Sequence, residues 1–142
     1  MERHQDEAYW RTNKNNRSIS IWIPLQEATL ENGCMQFIPG SHKLNILNHH
    51  SIDHNPRVQG LELDGDQADL SRAVACSPPP SGATIYGGRM LHFTSANVSD
   101  TPRRAFILMF HVPQPPPETP RDFYWQKSVD TYAAEKRKAA NS

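Results

Sequence analysis

Ala83-Thr-Ile-Tyr-Gly-Gly-Arg-Met-Leu-His-Phe-Thr94, followed by Arg103-Arg-Ala-Phe-Ile-Leu-Met-Phe-His-Val112, is the stretch from which the fold is read. Ala83–Tyr86 reads as a strand, Gly87-Gly88 as a tight turn and Arg89–Thr94 as a second strand, because β-branched and aromatic residues alternate and glycines interrupt them. Ser95–Pro102 is turn-rich. Arg103–Val112 is the longest apolar run and has no polar face in its middle, so it is expected to be an inner strand covered on both sides. It can run antiparallel beside Arg89–Thr94 across the intervening loop. Working outward, Ser18-Ile-Ser-Ile-Trp-Ile-Pro-Leu25 alternates cleanly, with four aliphatic residues on one face and Ser18, Ser20 and Trp22 on the other. That second face is too polar for a core and reads as a cavity wall. Cys34–Ile38 is a short strand stopped by Pro39-Gly40, and Asn32-Gly33 suits a turn with positive φ. Leu61–Asp66 and Arg72–Cys76 are candidate short strands, and 41–60 reads as loop. Short strands punctuated by Gly, Pro and Asn indicate an all-β sandwich or jelly roll.

The 142 residues provide for one domain with a real core but not two. Fifteen basic residues balance fifteen acidic ones, so no charge excess argues for nucleic acid or a membrane surface. No apolar run reaches transmembrane length, and the start lacks a signal-peptide core. Two cysteines, Cys34 and Cys76, are not a disulfide framework and read as buried thiols in a reducing, intracellular (cytoplasmic) setting. The proline-rich segment from Gln114 leaves the domain, dividing the chain into a core over 1–113 and a tail over 114–142 with a short helix around Asp130–Ala139.

Two places carry chemistry. In an extended segment, residues two apart share a face, so His4 and Asp6 can reach one point while Gln5 faces away. An imidazole and a carboxylate so placed are two ligands of a 2-His-1-carboxylate facial triad; a solvated polar terminus is the bland alternative. His92 shares a strand face with Met90 and Thr94, opposite Leu91 and Phe93, and is either a third ligand or a hydrogen-bonded core histidine. Arg103 follows it by eleven positions. A cation beside a metal histidine needs an anion, and arginine grips a carboxylate in a bidentate fork.

His-Gln-Asp-Glu-Ala-Tyr-Trp at 4–10, Glu-Asn-Gly-Cys-Met-Gln-Phe-Ile-Pro-Gly-Ser-His at 31–42, and His92-Phe-Thr-Ser-Ala-Asn97 with Ser-Asp-Thr-Pro-Arg-Arg-Ala105 resemble the phytanoyl-CoA dioxygenase family. The resemblance runs from residue 1 to about 112. It implies a double-stranded β-helix, a distorted jelly roll, and Fe(II)/2-oxoglutarate-dependent oxygenase chemistry on a small organic substrate. It makes His4, Asp6 and His92 the catalytic iron ligands. Arg103 becomes the partner of the distal carboxylate of 2-oxoglutarate, Thr94 a hydroxyl contact to it, and Trp22 a neighbour of the cosubstrate pocket. Arg103 is chosen over Arg104 because it falls at the family interval and Arg104 shares a face with Phe106, Leu108 and Phe110. The three remaining iron positions would take 2-oxoglutarate and O2, with succinate and CO2 as products. Related halogenases lack the carboxylate, so Asp6 favours hydroxylation. Family members carry helices and strands before the His-x-Asp motif, whereas three residues precede His4 here. The expectation is thus an N-terminally incomplete double-stranded β-helix, with an inactive metal-binding remnant or a cupin-like binding domain as alternatives. His42 is expected to hold its loop, His49, His50 and His54 to lie on the surface, and His111, some 26 Å along its strand from Arg103, to stay clear of the iron.

Overall fold

The computed structural model describes residues 2–10, 17–113, 115, 118–126 and 130–141. The proline-rich segment from Gln114 therefore lies partly outside the described residues. The chain is mostly β, with one short C-terminal helix. Its strands are β1 (Ser18–Pro24), β2 (Met35–Phe37), β3 (His49–Ser51), β4 (Leu61–Leu63), β5 (Val74–Cys76), β6 (Thr84–Gly87), β7 (His92–Thr94) and β8 (Ala105–His111), followed by helix α1 (Tyr132–Ala140). All pairings are antiparallel. One sheet has the order β6-β1-β8, a second β5-β2-β7, and β3 pairs with β4 alone.

This topology corrects the expected pairing. The strands holding His92 and following Arg103 are not neighbours: β7 pairs with β2, and β8 with β1. The turn closed by Met90 N–H to Gly87 O (2.9 Å) and the loop over 95–104 each carry the chain from one sheet to the other. Residues near in sequence thus face each other across the interior. β3 lies in the segment read as loop; a histidine-rich run of three residues carries no strand periodicity, and its pairing with β4 supplies the order.

Alternation then divides each strand. Trp22 and Tyr86 of one sheet pack with Met35 and Phe37 of the other, together with Ala28 and Cys34, in one core cluster. Leu91 and Phe93 join Ile38 and Leu63 in a second. The opposite face of the first sheet is open. Register sets Ile19 against Phe110, Ile21 against Leu108 and against Ile85, and Ile23 against Phe106; Ile85 is 64%, Phe106 56% and Phe110 53% exposed. The expectation that β8 is an inner strand covered on both sides is therefore wrong: β8 is an edge strand, and no described element lies over its outer face. An unbroken apolar run reports apolar surroundings only when a second layer exists to provide them.

Gly33 adopts φ +88° at the exit of its turn, and a Cβ there would lie 2.8 Å from Ser95 O. The Asn-Gly reading thus holds, and Gly33 also lets the loop after β7 approach. Contacts cross the boundary drawn at residue 113. Trp125 Nε1–H and Gln126 Nε2–H donate to Ala8 O (3.1 and 2.7 Å), Tyr124 donates to Asp64 (2.9 Å), and Arg57 grips Glu135 of α1 at 2.6 Å. The cysteines are free. Among the described residues no helix is long and apolar enough to cross a membrane.

Candidate metal centre

His4 sits in an isolated antiparallel bridge with His92, each backbone N–H donating to the other's carbonyl at 3.1 Å. Asp6 opens a four-residue 3-10 turn, Asp6–Tyr9. The expected two-residue alternation survives, because Gln5 is still extended at φ −111°, ψ 128°. Gln5 faces away and is wholly buried, its amide donating to Arg89 O (2.9 Å) and accepting from Leu47 N–H (2.8 Å). His4 Nε2 and His92 Nε2 each lie 3.5 Å from Asp6 Oδ1. One ligand atom from each of the three residues falls within 4.8 Å of the others, the spacing of donors around a single ion.

The surrounding hydrogen bonds orient the two rings. His4 Nδ1 faces Glu2 O at 3.2 Å and His92 Nδ1 faces Met90 O at 2.9 Å. A carbonyl can only accept, so each Nδ1 carries the hydrogen and each Nε2 presents its lone pair, as metal-bound imidazoles require. Burial, and then the neighbouring His4, push the His92 imidazole down to about 4, leaving it neutral. Burial also opposes ionisation of Asp6. Its contacts with His4, His92 and the Ser20 hydroxyl outweigh it and hold this carboxyl below the usual carboxylate range. Ser20 Oγ–H donates to Asp6 Oδ2 at 2.7 Å, aiming Oδ1 at the imidazoles. The ring of Tyr86 lies 4.6 Å from that of His92. Next to Asp6, Glu7 is 2% exposed and held by Arg89 at 2.8 and 2.9 Å and by Arg121 at 2.9 Å.

The triad opens into a cavity of about 540 Å³, and all six residues picked out in the sequence line it: His4, Asp6, Trp22, His92, Thr94 and Arg103. Arg103 comes from the loop before β8 and lies over the Trp22 ring, 5.4 Å from its centroid. Its Nε is buried with no acceptor, so a guanidinium donor in this cavity lacks the anion that would complete it. Arg104 is exposed, beside the apolar outer face. Met35, Ile107 and Met109 supply apolar wall. The donor set, two imidazoles and one carboxylate, fits a divalent transition metal, and the orphaned Arg103 donor fits a carboxylate-bearing companion.

Other histidines divide differently from expectation. His49 is not a surface residue. It is completely buried, its Nε2 accepts from Gln5 N–H (3.3 Å) and its Nδ1 faces Leu47 O (2.8 Å). A loop histidine surrounded by polar residues carries no sequence mark of burial. His50 and His54 stack at 4.1 Å. His42 is exposed, and the neighbouring Ser41 ties the loop instead, its Oγ accepting from Leu91 N–H at 2.9 Å. His42 and His111 line a separate, wider hollow with Arg89 and Gly88, outside the triad. Ser20 as a partner of Asp6 and the Glu7–Arg89–Arg121 cluster are not among the residues expected from the sequence. The inward face of β1 was the only sign of the first, and the second joins residues more than eighty positions apart.

Comparison with known proteins places this geometry. Residues 1–105 match the family described as phytanoyl-CoA dioxygenase (PhyH). Phytanoyl-CoA dioxygenase domain-containing protein 1 of Danio rerio is 30% identical over 111 residues, covering 77% of this chain and 38% of that protein. The crystal structure of EvdO2 from Micromonospora carbonacea var. aurantiaca superposes with a TM-score of 0.79 at 38% identity, over 89% of this chain and 51% of that one. The same protein complexed with 2-oxoglutarate superposes at 0.77. The chain thus spans well under two thirds of the length of these relatives. With the match running from the His4–Asp6 pair through His92 to Arg103, the chain belongs to the phytanoyl-CoA dioxygenase family.

Proposed function

We propose that this chain carries the catalytic centre of an Fe(II)/2-oxoglutarate-dependent dioxygenase that hydroxylates a small organic substrate, built on the C-terminal part of a double-stranded β-helix. The observation that carries this reading is the convergence of His4 Nε2, Asp6 Oδ1 and His92 Nε2 in a cavity that also holds Arg103 with its buried, unpartnered Nε. Bound iron and 2-oxoglutarate would supply O2 activation coupled to decarboxylation, with succinate and CO2 as products. His4 and His92 hold the metal with lone pairs exposed by their Nδ1–H bonds to the carbonyls of Glu2 and Met90. Asp6 supplies the charge, kept ionised by its hydrogen bonds and steadied by Ser20. Arg103, backed by the Trp22 ring, receives the distal carboxylate of 2-oxoglutarate, and the Thr94 hydroxyl joins it. Met35, Ile107 and Met109 supply the apolar part of the cavity wall. A carboxylate in the third ligand position favours hydroxylation over halide transfer.

The discriminating experiment titrates 2-oxoglutarate into metal-loaded protein. Arg103→Ala is expected to weaken 2-oxoglutarate binding by ~30-fold or more, the low end of what losing one partner of a buried ion pair costs, with metal affinity unchanged. Unaltered ligand binding would favour a cupin-like site that has no need of Arg103. Succinate formation by wild type under Fe(II) and ascorbate separates an enzyme from an inactive metal-binding remnant.

A further inference from the structure

The turn that presents Asp6 is short and has no side-chain cap at its start. A single 3-10 turn has little stability of its own, so its position is set by what grips it from outside. Both sides of Asp6 are linked to the far end of the chain, Gln5 through His49 and Glu7 directly. Gln5 N–H donates to His49 Nε2, whose ring packs against Trp125 at 5.5 Å. Arg121 Nη1 reaches the Glu7 carboxylate at 2.9 Å. Ala8 O accepts from both Trp125 Nε1–H and Gln126 Nε2–H. The segment is itself held firm: Phe123 and Trp125 stack at 4.6 Å with 8° between planes, and Tyr124 is anchored on Asp64.

These grips bear on the ligand because ligand atoms need placing to within ~0.5 Å. The Glu7 carboxylate beside Asp6 is occupied by Arg89 and Arg121, which keeps it out of the metal's reach and ties the turn on its outer side. The family match ends at residue 105, well before Arg121.

We propose that residues 121–126 belong to the support of the metal centre, with Arg121 and Trp125 as positioning residues that fix the Asp6–Tyr9 turn so that Asp6 Oδ1 meets the two imidazoles. This rests on the metal reading above.

The test uses the full chain and Co(II), whose visible d–d bands report coordination geometry without turnover. Trp125→Phe keeps the ring stack but loses the donor to Ala8 O. Arg121→Gln removes the ion pair to Glu7, and Arg121→Lys restores its charge. Each of the first two is expected to weaken Co(II) binding by ~10-fold, the usual cost of losing a group that orients a ligand, and to alter the d–d spectrum. Arg121→Lys should recover part of both. Lys138→Ala, which removes an exposed ion pair to Asp130 outside this segment, should change neither. Gln126→Ala, a milder loss of one bond to Ala8 O, covers the case in which a larger change prevents folding, and should weaken Co(II) in the same direction. Trp125→Phe, Arg121→Gln and Gln126→Ala proteins that bind Co(II) within about twofold of wild type, with unchanged spectra, would overturn the proposal and leave the metal centre standing. A wild-type chain that takes up no Co(II) would overturn the metal reading and the proposal together.

Discussion

Lowering the pH of the metal-free protein should unfold it in a way that His49 can be shown to cause. Burial, the largest influence, pushes this imidazole from 6.5 down to about 4, because its ring is sealed beneath Trp125 and its Nε2 is engaged by Gln5 N–H. In the unfolded chain the same ring takes a proton below its ordinary value. The folded state therefore binds fewer protons over this interval. The stabilisation is complete above pH 6.5, declines as the pH falls, and is exhausted below about 4. At ~1.4 kcal/mol per pH unit the whole gap is worth ~3 kcal/mol, of which ~2 kcal/mol is lost on going from neutral pH to about pH 5. His92, pushed to the same value, adds a similar share. Asp6 and Glu7, both held below their ordinary values of 3.8 and 4.5, lose stabilisation mainly at lower pH, so pH 5 isolates the imidazoles. Urea unfolding at about pH 7.5, 6 and 5 measures the slope. His49→Gln should lower stability at neutral pH by ~1–2 kcal/mol through weaker packing and hydrogen bonding, yet remove about half of the pH dependence. A variant with the wild-type slope would show that His49 is not held neutral in the fold, and the burial argument would fail.

Two further variants test the scaffold. Gly33→Ala places a Cβ 2.8 Å from Ser95 O at φ +88°; left-handed strain alone costs ~1–2 kcal/mol, so a loss of ~2 kcal/mol or more is expected by thermal melting, and a change within ~0.5 kcal/mol would contradict it. Arg57→Ala removes a half-exposed ion pair to Glu135 and a cation over the Tyr132 ring at 4.2 Å. Global stability should change by less than ~1 kcal/mol, while amide exchange across Tyr132–Ala140 quickens, since a nine-residue helix does not stand alone in water; unaltered exchange would show that α1 is held by other contacts.

Much of the site was written locally. His-x-Asp on extended backbone sends two side chains to one point whatever the rest of the fold does, and Asp6 needed only Ser20, across the cavity wall legible in the alternation of β1, to complete its surroundings. His92 and Thr94 on one strand face, and Gly33 at positive φ, follow from the same short-range stereochemistry, whereas Met90 lies in the turn before the strand. What alternation could not supply was which strand lies beside which. Short strands carry little in their own sequence to choose a neighbour, so the loop over 95–104 could as well have closed a hairpin; in the fold β7 and β8 enter opposite sheets, which pack through Trp22 and Tyr86 against Met35 and Phe37. Burial was equally non-local. His49 becomes a core residue because Trp125 and Gln5 arrive from both ends of the chain, and the apolar run of β8 stays exposed because no described layer arrives over it. The residues by themselves determined which chemistry was available, through donor types at fixed short spacings. The tertiary structure alone decided which of them share a cavity, because convergence across large sequence separations depends on the whole core closing at once.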